Sequence, residues 1–251
     1  MRDITIPTTR RDFLRKSRIA VITTATLGTT TWVAARAEAH KPKSAKHRPP
    51  QDVSAVEDLM REHGVLARLL LIYEESFTRL SGGRECPPEA VSGAANLTRR
   101  FIEDYHEKLE EDYLFPHFEK KGKLVEVVKV LRQQHQAGRY LTDSIQSSAT
   151  PAGLQNQEER RKLQEALRLF VRMYRPHVAH EDTVLFPALH PLVSPHEYDA
   201  LGEEFEEREH TLFGKDGFET VVDEVAGLEK TLGLYDLSQF TPTNVAQFAV
   251  G

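Results

Sequence analysis

The sequence predicts an all-α protein: an up-down-up-down antiparallel four-helix bundle with one or two additional C-terminal helices. Three observations carry that expectation. Four segments of about 25 to 30 residues repeat their apolar positions with helical period, much longer than ordinary globular helices and suited to a bundle with short connections. Strand patterning is absent from the sequence. The stretch YHEKLEEDYLFPHFEK, residues 105–120, also returns 71 residues later as PHVAHEDTVLFPALHP, residues 176–191, which makes the repeat architectural.

Residues 1–39 stand apart from the fold. Paired Arg10 and Arg11 precede Asp12, Phe13, Leu14 and a basic cluster. Ile19 to Ala35 is moderately apolar, and Ala37-Glu38-Ala39 has the small-x-small pattern of a signal-peptidase site. This resembles a twin-arginine export signal. The resemblance implies engagement of the twin-arginine export machinery, cleavage before His40, a periplasmic or otherwise exported location, and a cofactor loaded before export. The apolar part is short and rich in threonine, whereas a membrane span needs roughly 20 mainly apolar residues. No stable span is therefore expected once the signal is cleaved. Residues 40–52, HKPKSAKHRPPQD, are basic, contain proline and read as a linker.

The helical domain is expected over 53–212, including a fifth helix. The first segment starts near an Asp52 cap and sets Val56, Met60, His63, Leu66, Leu70, Tyr73 and Phe77 along one stripe, ended by SGG. The second enters at CPPEA and passes through Phe101, Ile102, His106, Leu109, Glu110 and Tyr113. Beyond Gly122, the third places Leu124, Val128, Leu131, His135, Gly138, Thr142 and Ile145 on one face. SSATPAGLQNQ reads as a polar loop, after which Leu163, Leu167, Phe170, Tyr174, His177, Glu181 and Val184 face inward. A fifth helix from SPHEYDALGEEFEEREHTLFG follows, then a helical extension and tail over 213–251 with an amphipathic stretch at 216–232.

Composition narrows the function classes. The chain has 251 residues, 39% apolar and 28% charged, enough for one substantial core. Seven of its 33 basic and three of its 38 acidic residues lie in 1–39, which leaves a formal charge of −9 on the rest. A surface that acidic is poorly suited to nucleic acid or anionic lipid. The single Cys86 forms neither an internal disulfide nor half of a CxxC metal knuckle.

The repeat aligns His106 with His177, Glu110 with Glu181, Glu111 with Asp182 and Leu114-Phe115-Pro116 with Leu185-Phe186-Pro187, while His63 and His135 stand 72 apart. Helical residues four apart share a face, so each His-x-x-x-Glu aims two donors at one spot. Burying carboxylates and imidazoles together is costly unless a cation pairs with them. Imidazole with carboxylate and no thiolate suits iron and other divalent first-row metals better than structural zinc. With both glutamates bridging two ions, each ion has about four protein donors where iron prefers about six, leaving exchangeable positions for oxygen, peroxide or nitric oxide.

His63, HEKLE with its LFP, His135, and HVAHE with its LFP together resemble the hemerythrin-like, HHE cation-binding domain, over roughly residues 53–212. The resemblance implies two iron ions, with an oxo or hydroxo bridge, in mid-bundle. It implies His63, His106, His135 and His177 as nitrogen ligands and Glu110 and Glu181 as bridges. Oxygen-carrying hemerythrins have a further histidine where this chain has Arg139, and Glu107 beside His106 is a candidate replacement oxygen donor. That departure favours redox chemistry or sensing over simple oxygen carriage.

The remaining candidates have blander readings. His180 is expected to reach Glu181 by a hydrogen bond, and Tyr73, Tyr105, Tyr140 and Tyr174 to fill the core. Glu111 and Asp182 are expected on solvated acidic faces. A ferritin-like centre would need Glu-x-x-His pairs; Glu103/His106 and Glu207/His210 have that spacing but do not share the duplicated context, and the second pair lies outside the four core helices. The function expected is an exported di-iron protein acting on a small ligand such as oxygen. The alternatives are passive divalent-metal binding, buffering or storage, and a metal-free bundle; repair of iron–sulfur clusters, known in the family, sits awkwardly with export.

Overall fold

The computed structural model describes residues 53–243 and Val245, and the signal and linker expected over 1–52 lie outside the described residues. Helix α1 is Ala55–Ser81. Its cap is Ser54 rather than Asp52: the Ser54 hydroxyl accepts from the Glu57 amide at 3.3 Å, and the Glu57 carboxylate accepts from the Ser54 amide at 3.0 Å. This capping box satisfies two amides that would otherwise lack partners. Helix α2 runs over 88–121, entered at a proline pair and ended by Gly122 at φ 62°. Helix α3 is Val125–Ser148. The expected loop after it contains one helical turn, Pro151–Gln155, and Asn156 then caps α4, residues 157–189. Helices α5, Pro195–Phe213, and α6, Gly217–Leu232, complete the fold.

The four long helices form a ring in which each packs on its neighbours in sequence and α4 closes on α1. Helix α6 lies against α1 and the start of α2, and α5 packs on α1 and α6, so the α1/α2 side is covered. Tyr73, Phe101, Phe170, Leu59, Leu66 and Leu69 fill the interior. Among the described residues no helix is long and apolar enough to cross a membrane.

Two stripes differ from the sequence reading. On α1, Leu59 and Glu62 are buried while Met60 is exposed. On α4, Leu185 is buried in place of Val184. The second difference has a backbone cause. Pro187 offers no N–H, and its ring presses on the carbonyl four residues back, so Glu181–Leu185 opens into a π turn in which the Phe186 amide bonds the Glu181 carbonyl. The wider turn lines up positions four apart. Pro116 does the same to Glu110–Leu114, where the Phe115 amide bonds the Glu110 carbonyl.

Candidate metal centre

His63 on α1, His106 and Glu110 on α2, His135 on α3, and His177 and Glu181 on α4 converge in mid-bundle, and all six are buried. Each glutamate lies between the imidazole of its own helix and one from a neighbour. Glu181 Oε2 is 3.0 Å from His177 Nε2 and 3.4 Å from His63 Nε2. Glu110 Oε2 is 3.4 Å from His135 Nε2 and 3.8 Å from His106 Nε2. The rings pair as well, His63 with His106 at 4.7 Å between centroids and His135 with His177 at 5.1 Å.

Every ring turns Nε2 inward because its Nδ1 is held from the next helix. His63 donates to Asp182 at 2.8 Å, His177 to Gln134 at 2.9 Å, His135 to Glu111 at 3.0 Å and His106 to Glu62 at 2.8 Å. The four bonds run α1 to α4, α4 to α3, α3 to α2 and α2 to α1, a closed cycle. Each acceptor is the sequence neighbour of a predicted ligand on its own helix. With an oxygen opposite Nδ1, that nitrogen carries the proton, and in the neutral ring Nε2 keeps its lone pair for a metal.

The Leu-Phe-Pro triplets act on the opposite hairpin. Phe115 stacks on His135 at 5.6 Å and Phe186 on His63 at 5.4 Å. Thus Glu111 and Phe115, four apart on α2, hold the Nδ1 and one face of the same ring, and Asp182 with Phe186 does this for His63. Leu114 and Leu185 fill the core beside them. The motif is written twice because each copy positions the lone histidine of the other hairpin.

The electrostatics call for a cation. Both oxygens of Glu110, both of Glu181, and Nε2 of His63 and of His135 are buried without a hydrogen-bond partner. Burial, then the charge of Glu181, pushes the Glu110 carboxyl well above its usual range. Burial also raises Glu181, but the His177 and His63 imidazoles outweigh it and hold that carboxyl well below the usual range. Burial lowers His63, yet the bonds and charges of Asp182 and Glu181 prevail and raise it to about 9. Burial and the charge of His63 depress His106, and burial takes His135 down to about 4. Six donors left with lone pairs and mismatched protons in a dry interior fit metal coordination, which satisfies all of them together. Two donor groups meet here within 4.8 Å: Glu110, His135, His177 and Glu181, and His63, His106 and Glu110.

Glu107, the candidate extra donor, is buried at one side. Its Oε2 meets Arg139 at 2.8 Å and its Oε1 accepts from the Tyr174 hydroxyl at 2.6 Å. Arg139 also reaches Glu111 at 2.9 Å, so the position that carries histidine in oxygen carriers here neutralises two acids.

Three expectations fail. Glu111 and Asp182, expected on solvated faces, are partly buried and each accepts from an imidazole Nδ1. His180 bonds the Pro176 carbonyl at 2.7 Å and not Glu181. Tyr140 is exposed, whereas Tyr73, Tyr105 and Tyr174 are buried. Glu207 and His210 lie exposed on α5, in keeping with the reading against a ferritin-like centre. The orienting pairs Glu62/Gln134 and Glu111/Asp182 carry the repeat's own offsets of 72 and 71, a signal that could have revealed them.

The chain is 50% identical over 208 residues to proteins of Mycobacterium tuberculosis and Mycobacterium bovis, each named an uncharacterized protein, covering 80% of this chain and 82% of each relative. No solved structure matches significantly. The hemerythrin HHE cation binding domain matches residues 54–189, the span that carries all six converging donors and both Leu-Phe-Pro triplets. The chain belongs to the hemerythrin HHE cation-binding family.

Proposed function

We propose that this chain is an exported non-haem di-iron protein that binds or reacts with a small ligand, oxygen, peroxide or nitric oxide. The observation that carries the reading is the cycle of four Nδ1 bonds, which aims four imidazole lone pairs at two buried carboxylates. His63 and His106 would hold one ion and His135 and His177 the other, with Glu110 and Glu181 shared between them. Bound iron supplies a Lewis acid and a one-electron couple at positions the protein leaves open.

The residues around the centre do the rest. Asp182, Gln134, Glu111 and Glu62 fix the tautomer and tilt of each ring, and their loss lowers metal affinity. Phe115 and Phe186 exclude water from two of the imidazoles. Arg139 holds Glu107 by an ion pair and Tyr174 holds it by a hydrogen bond, which keeps that carboxylate off to the side. The resemblance of residues 1–39 to a twin-arginine signal supports export of the loaded, folded protein.

The test is anaerobic purification followed by an optical spectrum before and after air, then with nitric oxide. A new near-ultraviolet or visible band supports ligand reactivity. Bound metal with a spectrum that never changes favours passive buffering and contradicts the proposal.

A further inference from the structure

The two hairpins repeat the ligands but not the sides of the bundle through which a small molecule could reach them. Between α1 and α4 lies a groove of about 300 Å³ lined by His63, Ala67, Leu70, Leu71, Arg175 and Val178. Its floor is the His63 ring, its walls are hydrocarbon, and its one charge, Arg175, sits at the rim paired with Glu74. Applying the repeat offsets gives the counterpart between α3 and α2: His135, Arg139, Thr142, Asp143, Asp104 and Glu107.

That counterpart is closed by ions. Arg139 bonds Glu107 at 2.8 Å and Glu111 at 2.9 Å, and Arg99 bonds Glu103 at 2.7 Å and Asp143 at 2.5 Å. Thr142 bonds Glu103 at 2.5 Å. A third side, α1/α2, lies under α5 and α6. The fourth, α3/α4, has a groove of about 320 Å³ that also touches a predicted ligand, His177, but Gln134, bonded to that ring, Glu126 and His180 stand in its lining. Of these two grooves, the α1/α4 one carries a single polar side chain besides its ligand, Arg175, whereas the α3/α4 one carries three.

We propose that the α1/α4 groove is the entry route for an uncharged diatomic ligand, and that Ala67, small where the other hairpin has Arg139, keeps it open. Apolar walls favour a neutral diatomic over water and over anions, because a polar or charged solute loses its hydration there without recompense. The asymmetry makes one side of a pseudo-twofold centre the ligand side. The inference deepens the functional reading and rests on it.

Nitric oxide association with the ferrous-loaded chain, measured by anaerobic stopped flow, is the test. Ala67 is exposed, so Ala67→Trp is expected to leave melting unchanged. It should slow association about tenfold, the effect of ~1.4 kcal/mol added to the entry barrier. Val130→Trp, at the α3/α4 groove, should leave the rate unchanged. Independently of iron, xenon under pressure should bind the metal-free protein against Leu70 and Val178, and Ala67→Trp should abolish that binding. An unchanged rate in Ala67→Trp, an equal slowing in Val130→Trp, or xenon absent from the groove overturns the entry route while iron loading still stands. A wild-type chain that takes up no iron, or binds no nitric oxide, overturns the functional reading and this inference with it.

Discussion

His63 shows most directly how single residues set the centre's chemistry. Its Nδ1 rests on Asp182 and its ring on Phe186, both from α4. Asp182→Ala should lower metal affinity by about 10- to 100-fold in a chelator competition, with the fold intact by circular dichroism. His63 also gives a pH dependence of known sign. Its pKa is about 9 in the metal-free fold against an ordinary 6.5, so the stability it contributes is full below pH 6.5 and is lost as pH rises through 9. Metal binding needs the neutral ring and therefore strengthens over the same window. Denaturant melts of metal-free protein at pH 6 and pH 9.5, beside chelator titrations at both, should show the two trends opposed. Parallel trends would place the raised pKa elsewhere.

The helices carry the consequences of three backbone features. Pro187 forces the π turn that begins at Glu181, so Pro187→Ala should regularise α4 and misplace the carboxylate. Melting should hold or rise while metal affinity falls, a split that simple damage to the fold would not produce. Gly138 on α3 faces the Tyr174 hydroxyl, which an added Cβ would approach to 2.0 Å. Gly138→Ala should cost about 1–3 kcal/mol of stability through overpacking, and Tyr174→Phe in the same chain should recover part of it. Gly122 at φ 62° and Leu124 at φ 50° turn the chain sharply between α2 and α3, keeping those helices adjacent. Four long helices and the six donors were legible in the sequence because an apolar stripe and a spacing of four residues are both local patterns. The π turns at Glu110–Leu114 and Glu181–Leu185 were not, since a period of 3.6 was assumed across both prolines. Nor was the role of Glu62, Gln134, Glu111 and Asp182: each looks like a polar neighbour along its own helix, and its partner appears only across the helix interface.

At the scale of the molecule, duplication builds a nearly symmetric cage, and the departures from symmetry give it direction. Arg139 against Ala67 and Glu107 against Val178 close one side and leave the other apolar. Helices α5 and α6 cover a third side, and the charge of −9 without residues 1–39 leaves a surface that repels anionic polymers. What the cage lacks is a cation at its centre: both oxygens of two buried glutamates and the Nε2 atoms of His63 and His135 are left by the protein without a partner. Elemental analysis of anaerobically purified wild type beside a Glu110→Ala, Glu181→Ala double variant tests this most directly. The account predicts two irons per wild-type chain and close to none in the variant, both proteins remaining helical. Equal metal content in the two, or a wild type that folds and retains no metal, would contradict it.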